Sequence, residues 1–161
     1  MPTEPMTHAS DTNPHFRALD DGEIQAVLAR NHVGRIAYTF RDRVNIVPLH
    51  YVYSDGWIYG RTSPGEKLVT IGHHRWVAFE VDEVQGPYDW RSVVVHGGFY
   101  VLSHDDRAWT QALERVRGVV PYALTQDDPT PFRTVLFRIA VQESSGREAR
   151  SDSPRDATAS G

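Results

Sequence analysis

The chain has 161 residues, of which 40% are hydrophobic and 24% charged, and its formal net charge is -4 at pH 7. This length suits one domain with a sizeable core. The acidic balance offers no broad basic field, so we expect no nucleic-acid partner. The absence of cysteine excludes disulfides, thiolate catalysis and thiolate metal sites. No apolar run approaches the ~18 residues of a membrane span, and the N-terminus lacks a secretory signal, which predicts a cytoplasmic protein without a membrane partner.

Composition divides the chain into an ordered middle and two polar ends. Residues 1–15 contain three prolines and few apolar side chains, and residues 143–161 are low in apolar content. Segments of this kind bury too little apolar surface to offset the entropy that ordering costs. We therefore predict a disordered N-terminal tail over 1–15, one domain over 16–142 and a disordered C-terminal tail over 143–161.

The first predicted helix starts at a capping box. Asp20 and Glu23 have the spacing at which each side chain accepts a hydrogen bond from a backbone N–H near the helix start. The residues that follow at helical spacing and predict one apolar face are Ile24, Val27 and Leu28.

Six segments have the alternation or the β-branched and aromatic content of strands: residues 35–40, 45–53, 57–61, 76–84, 90–102 and 134–141. Ser54-Asp55-Gly56 between the second and third segments is typical of a hairpin turn. Pro48 inside the second segment indicates a sheet edge or an interruption, because proline donates no backbone hydrogen bond. Further helices are predicted over 66–74 and 103–118, and residues 119–131 are predicted as a loop that could cover a site.

The order of these elements favours a mainly β fold of the α+β class. Strands follow one another through short turns rather than through regular crossover helices. This pattern predicts an antiparallel barrel or folded sheet of about six strands, with two or three helices packed outside it. The sequence has neither a GxGxxG after a strand nor a GxxxxGK[ST], which argues against Rossmann and P-loop nucleotide binding.

A run of polar residues after the third predicted strand suits a phosphate. Arg61 offers a guanidinium, Thr62 and Ser63 offer hydroxyls, and Lys67 follows a Pro-Gly turn at the start of the next predicted helix. Phosphate oxygens take hydrogen bonds from such cations and from unpaired N–H groups at a helix start. Short turn-plus-lysine patterns are also common in ordinary polar turns, so this chemistry alone leaves both interpretations open.

Six short motifs follow one another in order along about residues 19–141. They are Gly34-Arg35-Ile36-Ala37, Val47-Pro48-Leu49-His50-Tyr51, Trp57-Ile58-Tyr59, Pro64-Gly65-Glu66-Lys67-Leu68, Phe79-Glu80-Val81-Asp82 and Ser92-Val93-Val94-Val95. Their succession resembles the pyridoxamine 5'-phosphate oxidase-like flavoproteins, and most closely the branch that includes nitroimidazole-resistance proteins. The resemblance implies a split β-barrel homodimer that binds FMN in grooves between its two protomers.

The resemblance also assigns site residues. Those that would line the edge of the isoalloxazine ring, largely through backbone groups, are Val47, Pro48, Leu49 and His50. Those that would hold the ribityl phosphate are Arg61, Thr62, Ser63 and Lys67. Those that would reach the flavin of the partner protomer are Trp90 and Ser92.

The activity implied by the resemblance is an FMN-binding oxidoreductase that passes electrons from a reduced nicotinamide to a small acceptor, such as a nitroaromatic compound or a quinone. Relatives on this scaffold bind FMN, the deazaflavin F420 or haem, so an F420-dependent reductase and a non-catalytic flavin or haem carrier or sensor are alternatives. True pyridoxamine phosphate oxidases also carry a C-terminal Arg and His substrate pair. The residues after Val141 include arginines but no histidine, so we do not expect vitamin B6 oxidation.

Single residues in these motifs have competing interpretations. His50 is a candidate catalytic proton donor, substrate contact or haem ligand, or a histidine hydrogen-bonded at a strand end. His73 and His74 resemble a metal pair, but neighbouring side chains point apart, so no metal site is predicted. Glu80 and Asp82 share one strand face, which favours a solvated surface or a dimer contact over paired catalytic carboxylates.

Overall fold

Nine strands and three helices make up residues 13–70 and 75–152, the parts of the chain that the computed structural model describes. The strands are β1 (Pro14–Ala18), β2 (Val33–Phe40), β3 (Arg43–His50), β4 (Val52–Ser54), β5 (Trp57–Thr62), β6 (Arg75–Gly86), β7 (Asp89–Val101), β8 (Val135–Ala140) and β9 (Glu143–Ser151). The helices are α1 (Asp21–Arg30), α2 (Lys67–Thr70) and α3 (Arg107–Arg117). The six predicted strands correspond to β2 through β8, with the predicted run 45–53 divided between β3 and β4.

All nine strands join one antiparallel sheet. The order along its main path is β3-β2-β6-β7-β8-β5-β4, and β9 pairs with both β7 and β1. The path does not close, because β3 and β4 at its two ends are not paired with each other. The predicted mainly β, antiparallel fold with peripheral helices is confirmed, and the opening between the ends of the path is consistent with a split barrel.

Two tight turns set the register of the strands around this opening. Arg41 and Asp42 connect β2 to β3, and Asp55 and Gly56 connect β4 to β5, all four with positive φ. Positive φ at both central residues is the type I′ geometry, which matches the twist of antiparallel strands. The predicted hairpin is shorter than expected, since its first arm is β4 alone and β3 pairs with β2 instead. The chain passes from β3 to β4 at Tyr51, which lies outside both strands.

The main core lies between the inner face of the sheet and α1. Asp20 caps α1 in a reciprocal capping box with Glu23, as predicted. The apolar face of the helix, predicted from its spacing, is buried: Ile24, Val27 and Leu28. Buried strand residues that join the same cluster include Ile36, Phe79, Val81, Val93, Val95, Phe99, Phe137 and Ile139.

A smaller buried cluster forms where α3 packs on the other side of β5 and β8. Asp106 caps the helix by accepting a hydrogen bond from the Ala108 N–H. The buried members of the cluster are Tyr59, Leu102, Ala108, Ala112, Val116, Ala123 and Leu136. Because α3 is fixed here, the loop that follows it lies beside β5.

The predicted tails extend too far into the chain. Residues 143–151 form β9 and residues 14–18 form β1, and these two strands pair with each other. Apolar content could not predict β9, because its buried positions are a glycine, an alanine and Glu148. Arginine side chains of β1 and β7 hydrogen-bond the Glu148 carboxylate and so satisfy its buried charge. The predicted tail segments 1–12 and 153–161 lie outside the described residues.

β7 changes partner at Gly97. Its residues from Trp90 to His96 pair with β9, and those from Phe99 to Val101 pair with β8. A Cβ atom on Gly97 would lie 1.6 Å from the Ala140 carbonyl oxygen, so the end of β8 can cross here only over a glycine. This crossing aligns β8, and the neighbouring β5, with the opening of the barrel.

Candidate functional site

A cleft opens between the edge strand β3 and the end of β5. We call it cleft A, and its volume is about 110 Å³. Its lining residues are Tyr38, Val47, Pro48, Leu49, Arg61, Thr62, Ser63, Glu66, Leu68, Phe132 and Arg133. Cleft A thus brings together the predicted residues of β3, apart from His50, with the predicted polar residues at the end of β5.

The first wall of cleft A is the edge of the sheet. Among the described strands, β3 pairs only with β2, so the backbone groups on its other side have no partner in that part of the chain. Pro48 lies within this strand, which confirms the edge position that its missing N–H predicted. Val47 and Leu49 pack against the core, whereas Pro48 and His50 are exposed. The wall therefore combines apolar side chains with free backbone donors and acceptors.

The second wall is the end of β5 and the turn that follows. Thr62 ends β5 and Ser63 begins the turn, and both are half-buried. The Glu66 N–H donates to the Ser63 carbonyl at 3.1 Å, so this amide, which we expected to be free for a phosphate, is already used. Lys67 is the first residue of α2 and the only lysine in the chain, and its side chain lies outside the described part of the structure.

Arg61 is a member of a buried ion pair rather than a free cation. Its Nη1 donates to Asp128 Oδ2 at 2.5 Å, and its Nη2 donates to Asp128 Oδ1 at 3.0 Å and to Thr130 Oγ1 at 2.8 Å. The Arg61 and Asp128 side chains are 7% and 1% exposed. Hydrogen bonds from Arg61, and from the backbone N–H groups of Leu124 and Thr130, hold the pKa of Asp128 well below its usual value. Arg61 therefore brings no net positive charge to cleft A, although it lines the cleft as predicted.

Arg133 is a cation of the site that the sequence did not reveal. It lies just beyond the predicted loop 119–131 and lines cleft A. Among the residues that the structure describes, no carboxylate lies within ion-pair distance of Arg133, and its guanidinium is 5.7 Å from the centre of the Phe132 ring. No local sequence pattern predicts that Arg133 lines the cleft. Its position depends on the hydrogen bonds from Arg61 of β5 to Asp128, which hold the loop beside the strand.

Cleft A also contains a phenol and a carboxylate. Burial raises the pKa of Tyr38, and the nearby Glu66 charge raises it further, so the Tyr38 hydroxyl remains a proton donor at neutral pH. Glu66 would repel an anion in the cleft. A phosphate bound there would consequently need positive charge, and Arg133 is a cation without a carboxylate partner in the described lining.

A second cleft adjoins the first. We call it cleft B, with a volume of about 130 Å³ and a lining of His50, Tyr51, Val52, Tyr59, Gly60, Arg61, Val116, Val119, Val120, Pro129, Thr130 and Arg133. Arg61 and Arg133 line both clefts and so form their common wall. His50, the predicted catalytic residue, lies in cleft B. Val47 to Leu49, which belong to the same sequence motif, lie in cleft A.

Trp90 and Ser92 lie on β7, away from both clefts. Residues that pair across neighbouring strands share a face of the sheet. Pro48 pairs with Arg35, Arg35 with Glu80, and Glu80 with Val94, so Pro48 and Val94 lie on the same face. Trp90 and Ser92 alternate with the core-facing positions of β7, as Val94 does, so they share this outer face with Pro48. Their predicted contact with a partner's flavin requires a second protomer and stays a prediction.

The remaining candidates have no catalytic arrangement in the described residues. Arg35 Nη1 lies 3.3 Å from both the Glu80 and the Asp82 carboxylates, and burial together with the Asp82 charge raises the pKa of Glu80. His73 and His74 lie outside the residues 13–70 and 75–152, within which no group of three His, Cys, Asp or Glu could hold a metal. None of the helices in those ranges has the length and apolar content that crossing a membrane requires.

Known proteins share the sequence pattern and the fold of this chain. The family model described as pyridoxamine 5'-phosphate oxidase matches residues 20–148. An FAD-binding protein from Mesorhizobium loti is 31% identical, with a TM-score of 0.68 over 85% of this chain and 98% of that chain. A putative pyridoxamine 5'-phosphate oxidase from Corynebacterium glutamicum is 27% identical, with a TM-score of 0.62 over 82% of this chain and 91% of that chain.

A more distant structure bears on the predicted branch. A putative 5-nitroimidazole antibiotic resistance protein from Bacteroides thetaiotaomicron is 15% identical, with a TM-score of 0.58 over 88% of this chain and 96% of that chain, a likeness of fold. The family model spans most of the described residues, including both walls of cleft A. The chain therefore belongs to the pyridoxamine 5'-phosphate oxidase family and has the fold of its flavin-binding members.

Proposed function

We propose that this protein is a flavin-dependent oxidoreductase that holds FMN in cleft A and passes electrons from a reduced nicotinamide to a small acceptor, such as a nitroaromatic compound or a quinone. The observation that carries the proposal is the convergence of Val47 to Leu49 with Thr62 and Ser63 on one cleft. These segments belong to strands that do not pair with each other, and they meet only across the opening of the barrel.

The donor set of cleft A suits the two halves of flavin mononucleotide. The free edge of β3 offers backbone groups to the polar rim of the ring, and Val47 and Leu49 offer it apolar contact. Hydroxyls of Thr62 and Ser63 are neutral donors to the phosphate, and Lys67 and Arg133 would supply the positive charge that the phosphate needs. When bound, a flavin would supply the electron exchange, and the chain would supply binding, orientation and the Tyr38 proton donor.

The size of cleft A supports a site completed by a second protomer. Pockets that enclose ligands of this size are about 300 to 1,000 Å³, whereas cleft A is about 110 Å³. One chain can therefore enclose only part of a three-ring cofactor with its ribityl phosphate. We accordingly include a homodimer in the proposal.

An apolar surface suited to this dimer lies on the outer face of the sheet. Val44, Ile46 and Trp76 are 80%, 66% and 53% exposed. The register pairs Ile46 with Ala37 and Ala37 with Ala78, which places Ile46 and Trp76 on the same face as Pro48 at cleft A. Exposed apolar patches of this kind mark protein contacts, and covering this one would bring a partner to the open side of the cleft.

The proposal can be tested by identifying the bound chromophore. We expect a flavin absorption spectrum from the purified protein, and tighter binding of FMN than of F420 or haem when the ligand-free protein is titrated with each. FAD belongs in the same titration, because the Mesorhizobium loti relative is an FAD-binding protein. Reduction of the bound flavin by NADPH in stopped flow would support an enzyme, and no reduction would favour the carrier or sensor alternative. A haem Soret band, or no binding of any flavin, would contradict the proposal.

The position of the phosphate can be tested through the single lysine. An amine-selective acetylating reagent should modify only Lys67 and the N-terminal amine, which serves as an internal control. We expect saturating FMN to slow acetylation of Lys67 and to leave the N-terminal amine unaffected, as read by peptide mass spectrometry. Equal modification of Lys67 with and without bound FMN would place the phosphate elsewhere.

The dimer can be tested by placing a charge on the outer face. Ile46→Glu should convert a dimer to a monomer in sedimentation and weaken FMN binding, because half of the site is lost. Tyr122→Glu is the matched control, since Tyr122 is also exposed but lies on the loop after α3. A wild-type monomer that holds FMN tightly would contradict this part of the proposal.

A further inference from the structure

Cleft B has apolar walls and no acidic residue among its lining side chains. Tyr59 of β5 faces Val116, Val119 and Val120 at the end of α3, and Pro129 lies beside them. Val116 and Tyr59 belong to the buried cluster beneath the cleft, so these walls are fixed by packing. This lining differs from that of cleft A, where Glu66 is present.

The volume of cleft B matches a single aromatic ring. An apolar cavity of about 150 Å³ in a protein holds a benzene molecule, and cleft B has a volume of about 130 Å³. Within one chain, cleft B therefore has space for one ring and a short substituent.

The polar groups of cleft B favour a ligand with an anionic end. The positive charge of Arg61 is cancelled by Asp128, but no carboxylate pairs with Arg133 in the described part of the chain. His50 lines the same cleft, and its side chain has no hydrogen-bond partner among the described residues. Arg133 consequently gives an otherwise apolar cavity one unbalanced positive charge, which a carboxylate would neutralise.

We propose that cleft B binds a single-ring aromatic carboxylate. The ring lies against Tyr59 and the valines at and just after the end of α3, and the carboxylate lies on Arg133. The common wall with cleft A places such a ligand beside the proposed flavin site. The role of this ligand as an electron acceptor rests on the proposed flavin function. The binding of the ligand does not rest on that function, because the chain itself supplies every contact.

The binding can be measured with 4-nitrobenzoate on flavin-free protein by calorimetry. We expect saturable binding, and binding of nitrobenzene that is at least tenfold weaker because it lacks the charge. Arg133→Gln should weaken 4-nitrobenzoate binding at least tenfold. Arg115→Gln removes the same charge from an exposed position on α3 and should have no effect. Equal affinity of wild type and Arg133→Gln, or no binding to wild type, would overturn the proposal.

A second variant tests the position of the ring without removing a charge. Val119 is half-buried in the segment after α3, so Val119→Phe can fill cleft B without replacing a core residue. We expect it to abolish 4-nitrobenzoate binding while FMN affinity stays within twofold of wild type. Persistent 4-nitrobenzoate binding in Val119→Phe, or loss of FMN binding in that variant, would show that cleft B is not a separate subsite. If the wild-type protein does not bind FMN, that result contradicts only the proposed flavin function.

Discussion

Two buried carboxylates are held by arginine in different parts of this molecule, and only one of them contributes to the candidate site. Asp128 binds Arg61 and fastens the loop after α3 to β5, where both clefts lie. Glu148 of β9 is bound by arginines of three strands: Arg17, Arg91 and Arg150. The same pairing therefore shapes a binding site in one region and joins strands in the other.

The two regions also differ in how many groups share the charge. Asp128 has one guanidinium, supplemented by backbone N–H groups of Leu124 and Thr130. Near Glu148, Glu23 provides a second carboxylate that binds both Arg17 and Arg91. Loss of one group should be tolerated better in this network than in the single pair, because the remaining charges still have partners.

The largest effect is expected from Asp128→Ala. It leaves the buried Arg61 charge without a partner and should lower the melting temperature by about 10 °C. It should also weaken FMN binding, since the loop that carries Arg133 is released. Differential scanning fluorimetry and FMN titration measure the two effects. Asp127→Ala is the matched control, because Asp127 is the exposed neighbour in the same loop, and a similar loss in both variants would contradict the importance of the pair.

A smaller effect, on stability alone, is expected from Glu148→Ala. The melting temperature should fall by about 5 °C, because Glu23 still forms ion pairs with two of the three arginines. FMN affinity should be unchanged, since Glu148 lines neither cleft. A change of more than threefold in the FMN dissociation constant would show that the strand network and the site are not independent.

Lys67→Ala should weaken FMN binding and leave stability nearly unchanged, which is the opposite of the effect expected from Glu148→Ala. Loss of a charge-assisted hydrogen bond to the phosphate should weaken FMN binding by about 1 to 3 kcal/mol. The melting temperature of the flavin-free protein should change by less than about 2 °C, because the proposed partner of Lys67 is the ligand. Equal FMN affinity in wild type and variant would remove Lys67 from the site.

Acid should act on both regions through carboxylates with lowered pKa. The pKa of Asp128 is lowered by Arg61, and that of Glu23 is lowered to about 2, chiefly by Arg17. A lowered folded-state pKa gives stability that is complete above the unfolded value of about 4 and is lost as the pH falls below it. Asp128→Asn should therefore lose less stability than wild type between pH 5 and pH 3 in urea titrations. Parallel losses would show that Asp128 does not contribute to acid unfolding.

The smallest effect is expected from Arg17→Gln. Arg17 is half exposed and shares its two carboxylates with Arg91, so solvent and the second arginine should compensate for its loss. The melting temperature should fall by no more than about 2 °C. A loss as large as that of Glu148→Ala would mean that Arg17 is the main partner of the buried carboxylate.

The sequence predicted those parts of the fold that depend on local pattern. The capping box at Asp20, the alternation of β2, and the edge position indicated by Pro48 each depend on neighbouring residues, and all agree with the structure. β9 was missed because a buried glutamate with arginine partners has the composition of a solvated segment. Its partners lie more than fifty residues away in the chain, at Arg17 and Arg91.

The candidate site was predictable where it follows motifs and not where it depends on the loop after α3. Val47 to Leu49 and Thr62 with Ser63 lie in one cleft, as their motifs implied. The pairing of Arg61 with Asp128, and the presence of Arg133, depend on how a long loop folds, which its sequence does not show. The division of His50 from its motif has a similar origin, because residues 116–133 form half of the lining of cleft B, in which His50 lies.

The common wall of Arg61 and Arg133 has a consequence for how this protein could diversify. One half of cleft B comes from a single contiguous segment, residues 116–133, whereas Val47 to Ser63 supply most of cleft A. Substitutions in the segment 116–133 could therefore change which small molecules enter while the strands that would hold the cofactor keep their sequence. A library confined to those positions, with Asp128, Thr130, Phe132 and Arg133 retained, is a compact route to altered selectivity.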